Sequence, residues 1–160
     1  MTQRVDLATV MDRLAVDEMV TRYALAVGDG DWPAYRALFT RDGRADYRGA
    51  GGVEGPAAEV AAWLEETMLP FPVRQHLIVN RRVRLRGAAG YMGDRADAEA
   101  DAEADVEADY VTPMQPESGD GFLAGGRCAF GLARGDGGWR LRSVTVREKW
   151  RRAALLRAAE

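Results

Sequence analysis

The hydrophobic period of this chain changes once, and two prolines mark the change. Up to Leu69 the apolar residues recur at spacings of three and four; from Val73 they alternate; Pro70 and Pro72 stand between. The first spacing marks one face of a helix and the second one face of a strand. A helical first half and a strand-rich second half predict an α+β fold. Three N-terminal helices packed on a strongly bent, mostly antiparallel sheet satisfy that order. The 160 residues suit one domain spanning 1–160, and 47 % hydrophobic residues can fill its core.

The first helix is expected over 7–27, whole or kinked near Ala15–Asp17, with Asp6 as its cap and Gly28 and Gly30 at its end. Asp31 and Pro33 open a second helix whose apolar side is Trp32, Tyr35, Leu38 and Phe39. Arg41–Asp42–Gly43 reads as a turn into a short strand through Ala45 and Tyr47. Gly49 to Gly52 reads as a loop, and Gly55–Pro56 opens a third helix over roughly 57–69.

Strands are expected over 74–86, 96–112, 122–134 and from Trp139 onward. A change of phase near Arg81–Arg82 predicts a bulge. Gly87 to Gly93 reads as a hairpin connection and Pro113 to Gly121 as a loop. From Ala98 to Tyr110 the small and apolar residues take one face and the acids Asp97 to Asp109 the other, which predicts one wetted face. A basic tail from about residue 149 is expected to be helical or frayed.

Composition narrows the function. The formal charge of -3 argues against a nucleic-acid partner, although 94–109 is acidic and 147–157 mostly basic. The single cysteine, Cys128, excludes an intrachain disulfide framework and a multi-cysteine zinc site, and fits a cytoplasmic protein. The single histidine excludes a histidine-rich metal centre, and the scattered carboxylates lack a metal signature. No apolar run is long enough to span a membrane. Gly49 to Gly55 lacks the spacing and context of a dinucleotide or phosphate loop. No cofactor is expected.

Four stretches in order, YALAVGDGDWPAYRALFTRDGRADY from Tyr23, GPAAEVAAWL from Gly55, RQHLIVN from Arg74 and DGGWRLRSVTV from Asp136, carry a family resemblance. Together they resemble the SnoaL-like branch of the NTF2-like superfamily, with its small polyketide cyclases and relatives of scytalone dehydratase. The resemblance implies a cone of helices and bent sheet with a pocket at its open end. It also implies a scaffold used by dehydratases, isomerases, cyclases, epoxide hydrolases and non-catalytic binders. Scytalone dehydratase-like members have Y-x-x-x-x-D-x-x-D-W, whose first aspartate supports a catalytic histidine. Tyr23, Asp31 and Trp32 match, but Gly28 occupies the place of that aspartate. His76 matches the first histidine and Tyr47 the strand tyrosine. The second histidine falls near Asp109 or Tyr110 and the later asparagine near Arg127 or Cys128, so both are missing.

His76 is therefore the expected general base, because an imidazole can take a proton and return it near neutrality. Asp109 or Asp29 is expected to orient it, if a bulge or a shifted loop turns either inward; otherwise both are solvated acids. Tyr47 is expected to hold a substrate oxygen, with Tyr23 or Asn80 assisting. Trp63, Met68, Phe71, Phe122 and Phe130 are candidates for pocket wall or core. Arg127 either faces solvent beside the acidic strand or turns inward to select an anionic or strongly polar ligand. Cys128 is expected to be a small packed hydrophobe near the site. The resulting expectation is a cofactor-independent cyclase or dehydratase acting on a small, mostly apolar, polyketide-like carbonyl compound. An epoxide hydrolase and a non-catalytic binding or assembly module are the alternatives. Homodimerisation through the open sheet is expected from its low-bulk alternating surface and from the resemblance.

Overall fold

The computed structural model describes residues 7–87 and 102–154. Asp6, the proposed hairpin connection after Gly87, the first part of the acidic alternation and the tail beyond Ala154 lie outside the described residues.

Helix α1 (Leu7–Asp29) is continuous. It buries Val16, Met19, Val20, Tyr23 and Val27, the face its spacing defines. Its end is sharp. Gly30 takes φ +69°, and the amides of Gly30 and Asp31 donate back to the carbonyls of Val27 and Ala26 at 3.3 and 2.9 Å. Glycine reaches this left-handed conformation without a Cβ penalty. Asp31 at once caps α2 (Trp32–Ala37), its Oδ1 accepting from the Ala34 amide at 2.9 Å. Helix α2 is shorter than expected: β1 (Phe39–Gly49) already begins at Phe39. Arg41–Asp42–Gly43 is not a turn but an irregular part of β1, where the pairing jumps from Phe39 to Arg44.

A short β2 (Glu54–Pro56) pairs antiparallel with β1 and leads into α3 (Ala57–Met68). Then come β3 (Val73–Arg74), β4 (Leu77–Arg86), β5 (Glu103–Gln115), β6 (Gly121–Gly135) and β7 (Gly138–Ala154). The seven strands run β2-β1-β7-β6-β5-β3, with β4 also on β5. All pairings are antiparallel except β1 with β7. The sheet curls into a half-barrel cone and the helices pack into its concave side.

Two bulges set side-chain directions. Asn80 has φ 54°, and the β4–β5 register shifts between Val79 and Arg82, the region where the phase change predicts it. Between β6 and β7, Gly125 pairs with Trp150 but Gly126 with Glu148, so Lys149 is the extra residue. A Cβ on Gly126 would stand 2.0 Å from the Arg147 carbonyl oxygen, so only glycine fits the partner strand there. Strand β7 continues to Ala154, so residues 149–154 are sheet rather than helix. Their pairing with β6 as far as Gly121 outweighs the helix propensity of alanine.

The core is the inward phase of the sheet against the helices: Ala104, Val106, Ala108, Tyr110, Cys128, Phe130, Leu132, Leu141 and Val144 are buried. Outward acids and arginines pair with one another, as in Arg86–Asp105 (2.9 Å) and Arg82–Glu107 (3.7 Å). Among the described residues one charged side chain is buried. The Asp12 carboxylate accepts from Arg134 Nη1 at 2.8 and 2.9 Å and from Trp139 Nε1 at 3.0 Å, pinning α1 to the β6–β7 hairpin. No helix among the described residues is long and apolar enough to cross a membrane.

Candidate active site

A cavity of about 330 Å³ opens between α3, the end of α1 and the concave sheet. Tyr47, Trp63, Leu64, Met68, Phe71, Phe122 and Val146 make a largely apolar wall. His76, Tyr110, Thr112, Glu148 and Arg151 supply its polar groups. Grooves of similar volume lie on the outer surface, about 340 Å³ around Asn80, Asp109 and Arg127, and about 380 Å³ beside Asp29 and Asp31. Asn80, Asp109 and Arg127 already bond one another, and Asp31 caps α2. Of these, the first cavity combines an apolar wall with a buried imidazole nitrogen that lacks a partner among the described residues.

That nitrogen is Nε2 of His76, buried without a hydrogen-bond partner among the described residues. The other ring nitrogen is tied down. Thr112 Oγ1 donates its single proton to the Gln75 carbonyl at 2.7 Å, so towards His76 it acts as acceptor. Nδ1–H donates to it at a long 3.4 Å. This assigns the proton to Nδ1 and leaves a lone pair on Nε2. The ring lies between Tyr23 and Tyr110, with centroids at 5.7 and 5.5 Å. Burial pushes the His76 pKa down to about 4, because desolvation disfavours the imidazolium. The side chain is therefore a neutral base at neutral pH.

The Tyr47 and Tyr23 hydroxyls are 2.5 Å apart and buried. Burial raises the pKa of both phenols, so both stay protonated. The Tyr35 hydroxyl also interacts with that of Tyr47. Since Tyr47 lines the cavity, its hydroxyl serves a ligand oxygen when Tyr23 and Tyr35 donate to it.

The structure thus brings His76, Tyr47, Trp63, Met68, Phe71 and Phe122 together. It places the other candidates elsewhere. Asp109 alternates with the buried Ala108 and Tyr110 and points to the outer face, where it accepts from Asn80 Nδ2 and Arg127 Nε, both at 3.0 Å. These bonds hold its carboxyl below the usual carboxylate range. No bulge turns Asp109 inward, so it does not orient His76; Asn80 and Arg127 stay outside with it. Asp29 is exposed at the end of α1, because α1 closes at Gly30 without shifting. Tyr23 stands behind Tyr47, against Phe130 (centroids 5.1 Å), and Tyr23, Phe130 and Cys128 belong to the core under the cavity. Burial pushes the Cys128 thiol up to about 12.

Several lining residues escaped the sequence reading. Thr112 and Met114 continue the Ala108–Tyr110 alternation and were open to inference from it. Glu148 likewise continues the Val144–Val146 phase; Arg151 was not open to inference, because the extra residue Lys149 turns it to the side of Glu148. A Cβ on Gly28 would lie 3.5 Å from the His76 amide nitrogen, so the missing carboxylate leaves its place beside the histidine segment open.

A helix-lined cone closed by this sheet, with one histidine in an apolar pocket, defines a class of small α+β domains. The SnoaL-like domain model matches residues 8–145, and the chain belongs to that family, within the NTF2-like superfamily. Over 81 residues it is 31 % identical to the uncharacterised protein Rv2910c of Mycobacterium tuberculosis, covering 51 % of this chain and 55 % of that protein. The chain thus spans about half the length of the curated relatives it matches. A candidate scytalone dehydratase from Novosphingobium aromaticivorans superposes with a TM-score of 0.71 at 17 % identity, covering 95 % of this chain and 93 % of that one. Hexachlorocyclohexane dehydrochlorinase LinA-type3 from Novosphingobium barchaimii superposes with a TM-score of 0.73 at 15 % identity, covering 94 % of each. At such identities the likeness is one of fold.

Proposed function

We propose that this protein is a cofactor-independent lyase or isomerase, a cyclase or dehydratase, acting on a small and mostly apolar polyketide-like carbonyl compound. The observation that carries the reading is the free, buried Nε2 of His76 in an apolar cavity, with the opposite nitrogen fixed as Nδ1–H. Nε2 takes a proton from the carbon next to the carbonyl, and Tyr47 donates to the carbonyl oxygen as it becomes an enolate. The enolate then attacks a second carbonyl of the same molecule to close a ring. Alternatively it expels a neighbouring hydroxyl, which takes the proton from the imidazolium and leaves as water.

The low pKa of His76 suits the second half of this cycle. A buried imidazolium is a strong acid and returns its proton readily. The enolate beside it offsets the cost of forming it. The names of the two fold relatives, a dehydratase and a dehydrochlorinase, are both those of eliminations, which is consistent with proton removal as the first event. Epoxide hydrolysis is less well supported: it needs acids on both sides of a water, and Glu148 is the sole carboxylate among the described lining residues.

The test needs no native substrate. Exchange of α-protons of small aromatic ketones is followed by NMR in deuterated buffer. Wild type is expected to accelerate exchange, and folded His76→Ala to lose roughly 100-fold or more of that rate. Equal exchange by the two proteins supports a non-catalytic binding module instead.

A further inference from the structure

Resting on that reading of the cavity, we propose that Arg151 joins Tyr47 in binding the carbonyl oxygen of the substrate and that Glu148 is the positioning residue that aims it. Both line the cavity. Arg151 Nε and Nη2 donate to Glu148 Oε1 and Oε2 at 2.9 and 2.8 Å, a two-pronged pair. The guanidinium carbon lies 4.3 Å over the centre of the Phe122 ring, which in turn meets Phe71 edge-on at 5.6 Å. A fork on one edge and an aromatic ring beneath fix the plane of the group.

The fork uses one edge of the guanidinium. The N–H groups of Nη1 have no partner among the described residues, and they belong to a side chain that walls the cavity. Donors held in place bind an acceptor with little reorganisation, and on the half-exposed Arg151 a ligand oxygen replaces water there. The pairing also decides which acceptor. Glu148 cancels the formal charge of Arg151, so an ionised carboxylate gains little from the site and meets the Glu148 oxygens. A neutral carbonyl keeps the hydrogen bonds and gains more as its oxygen charges in the enolate. The ligand is thus a ketone or aldehyde with an apolar or aromatic body, rather than an acid. The strand distortion at Lys149 brings Arg151 to the side of β7 that carries Glu148, at the cavity.

Acetophenone and ethylbenzene, alike in ring and size, serve as probes, with benzoate as the ionised analogue. Binding is measured by NMR titration to wild type, Arg151→Met, Arg151→Lys, Glu148→Gln and His76→Ala, with folding checked by circular dichroism. Wild type is expected to prefer acetophenone over ethylbenzene. Arg151→Met is expected to weaken acetophenone roughly tenfold and leave ethylbenzene within about twofold. Glu148→Gln, which frees the positive charge, is expected to tighten benzoate roughly fivefold or more. Should Arg151→Met fail to fold, Arg151→Lys carries the same comparison, since it keeps the charge and loses the fork. Equal weakening of both neutral probes, an unchanged ratio, or no binding of either probe by wild type overturns the proposal. The acetophenone preference of His76→Ala is expected to persist. Loss of the Arg151 effect with His76-dependent exchange intact rejects this inference alone. Exchange indifferent to His76 with the Arg151 effect intact rejects the catalytic reading alone.

Discussion

The titration of His76 is the most direct consequence of its burial. Its Nε2 is buried without a partner among the described residues, and desolvation lowers the pKa from the usual 6.5 to about 4. In the unfolded chain the ring titrates at its ordinary value, so between these two pH values the unfolded state holds a proton that the native ring does not. Unfolding is therefore favoured as pH falls. The contribution of His76 is fully present above about pH 6.5 and is lost as pH drops through about 4. The gap corresponds to about 3 kcal/mol, with a slope of at most about 1.4 kcal/mol per pH unit. Carboxylates titrate over the same range, so the comparison is with His76→Gln, which keeps a polar side chain and does not titrate. Urea denaturation at several pH values is expected to show wild type losing about 3 kcal/mol more than the variant on acidification. Because the chain has one histidine, NMR follows its ring without assignment ambiguity. A ring midpoint near 6.5, or parallel stability curves for the two proteins, refutes the dry, unpartnered imidazole on which the mechanism rests.

Gly28→Asp is expected to fit, since its Cβ makes only ordinary contact at 3.5 Å, and to raise the His76 midpoint above about 4 by stabilising the imidazolium; NMR titration measures it. Asp12→Ala is expected to lower stability by about 2 kcal/mol in urea denaturation, because Arg134 and Trp139 lose their shared acceptor; a change below about 0.5 kcal/mol removes the clamp from the account. Asp109→Asn is expected to leave ketone α-proton exchange unchanged, since its carboxylate faces away from His76; a loss comparable to that of His76→Ala contradicts the outward placement. Homodimerisation across the open sheet remains our proposal, but the described alanines expected to carry it, Ala102, Ala104 and Ala108, are buried in the core, so it draws instead on Ala129, Gly131, Ser143 and Thr145 lining an outer groove. Sedimentation is expected to give twice the chain mass, and a monomer at working concentration rejects it.

The fold was legible because each element announces itself locally. The spacing from Val16 to Val27 in α1, the Gly30–Asp31 junction and the alternation of β5 all depend on nearby residues, and the structure follows them; Leu7, Val10, Met11 and Leu14, the first half of the α1 pattern, are exposed. The apolar wall from Trp63 to Phe71 was legible for the same reason: the period of α3 and its proline stop place those side chains towards the sheet. The polar site was less so. Asp109 looked like a partner for His76 only if a bulge turned it, and the bulge of β4 falls instead at Asn80–Arg81, across the strand from Ala108. Arg151 is hidden by the opposite accident, since the Lys149 bulge stands opposite Gly125 and Gly126 on the neighbouring strand. No pattern within β7 reports it. The early start of β1 at Phe39 is also a tertiary effect, set by pairing with Leu141 rather than by the local Arg41–Asp42–Gly43 signal.

The parallel pairing of β1 with β7 imposes an order in time. Phe39 meets Leu141 and Ala45 meets Val144, so β1 waits for a partner about 100 residues downstream. At roughly 5–20 residues per second of synthesis, that wait lasts on the order of 5–20 seconds. Throughout it, Tyr47 and the cavity side of α3 have no β7 against which to close. The strand that completes the sheet also carries Glu148 and Arg151, so the fold and the mouth of the cavity are finished by the same late event. A nascent chain therefore presents its aromatic cavity wall to the cell before it has a cavity, and a helper that shields apolar surface has its window there.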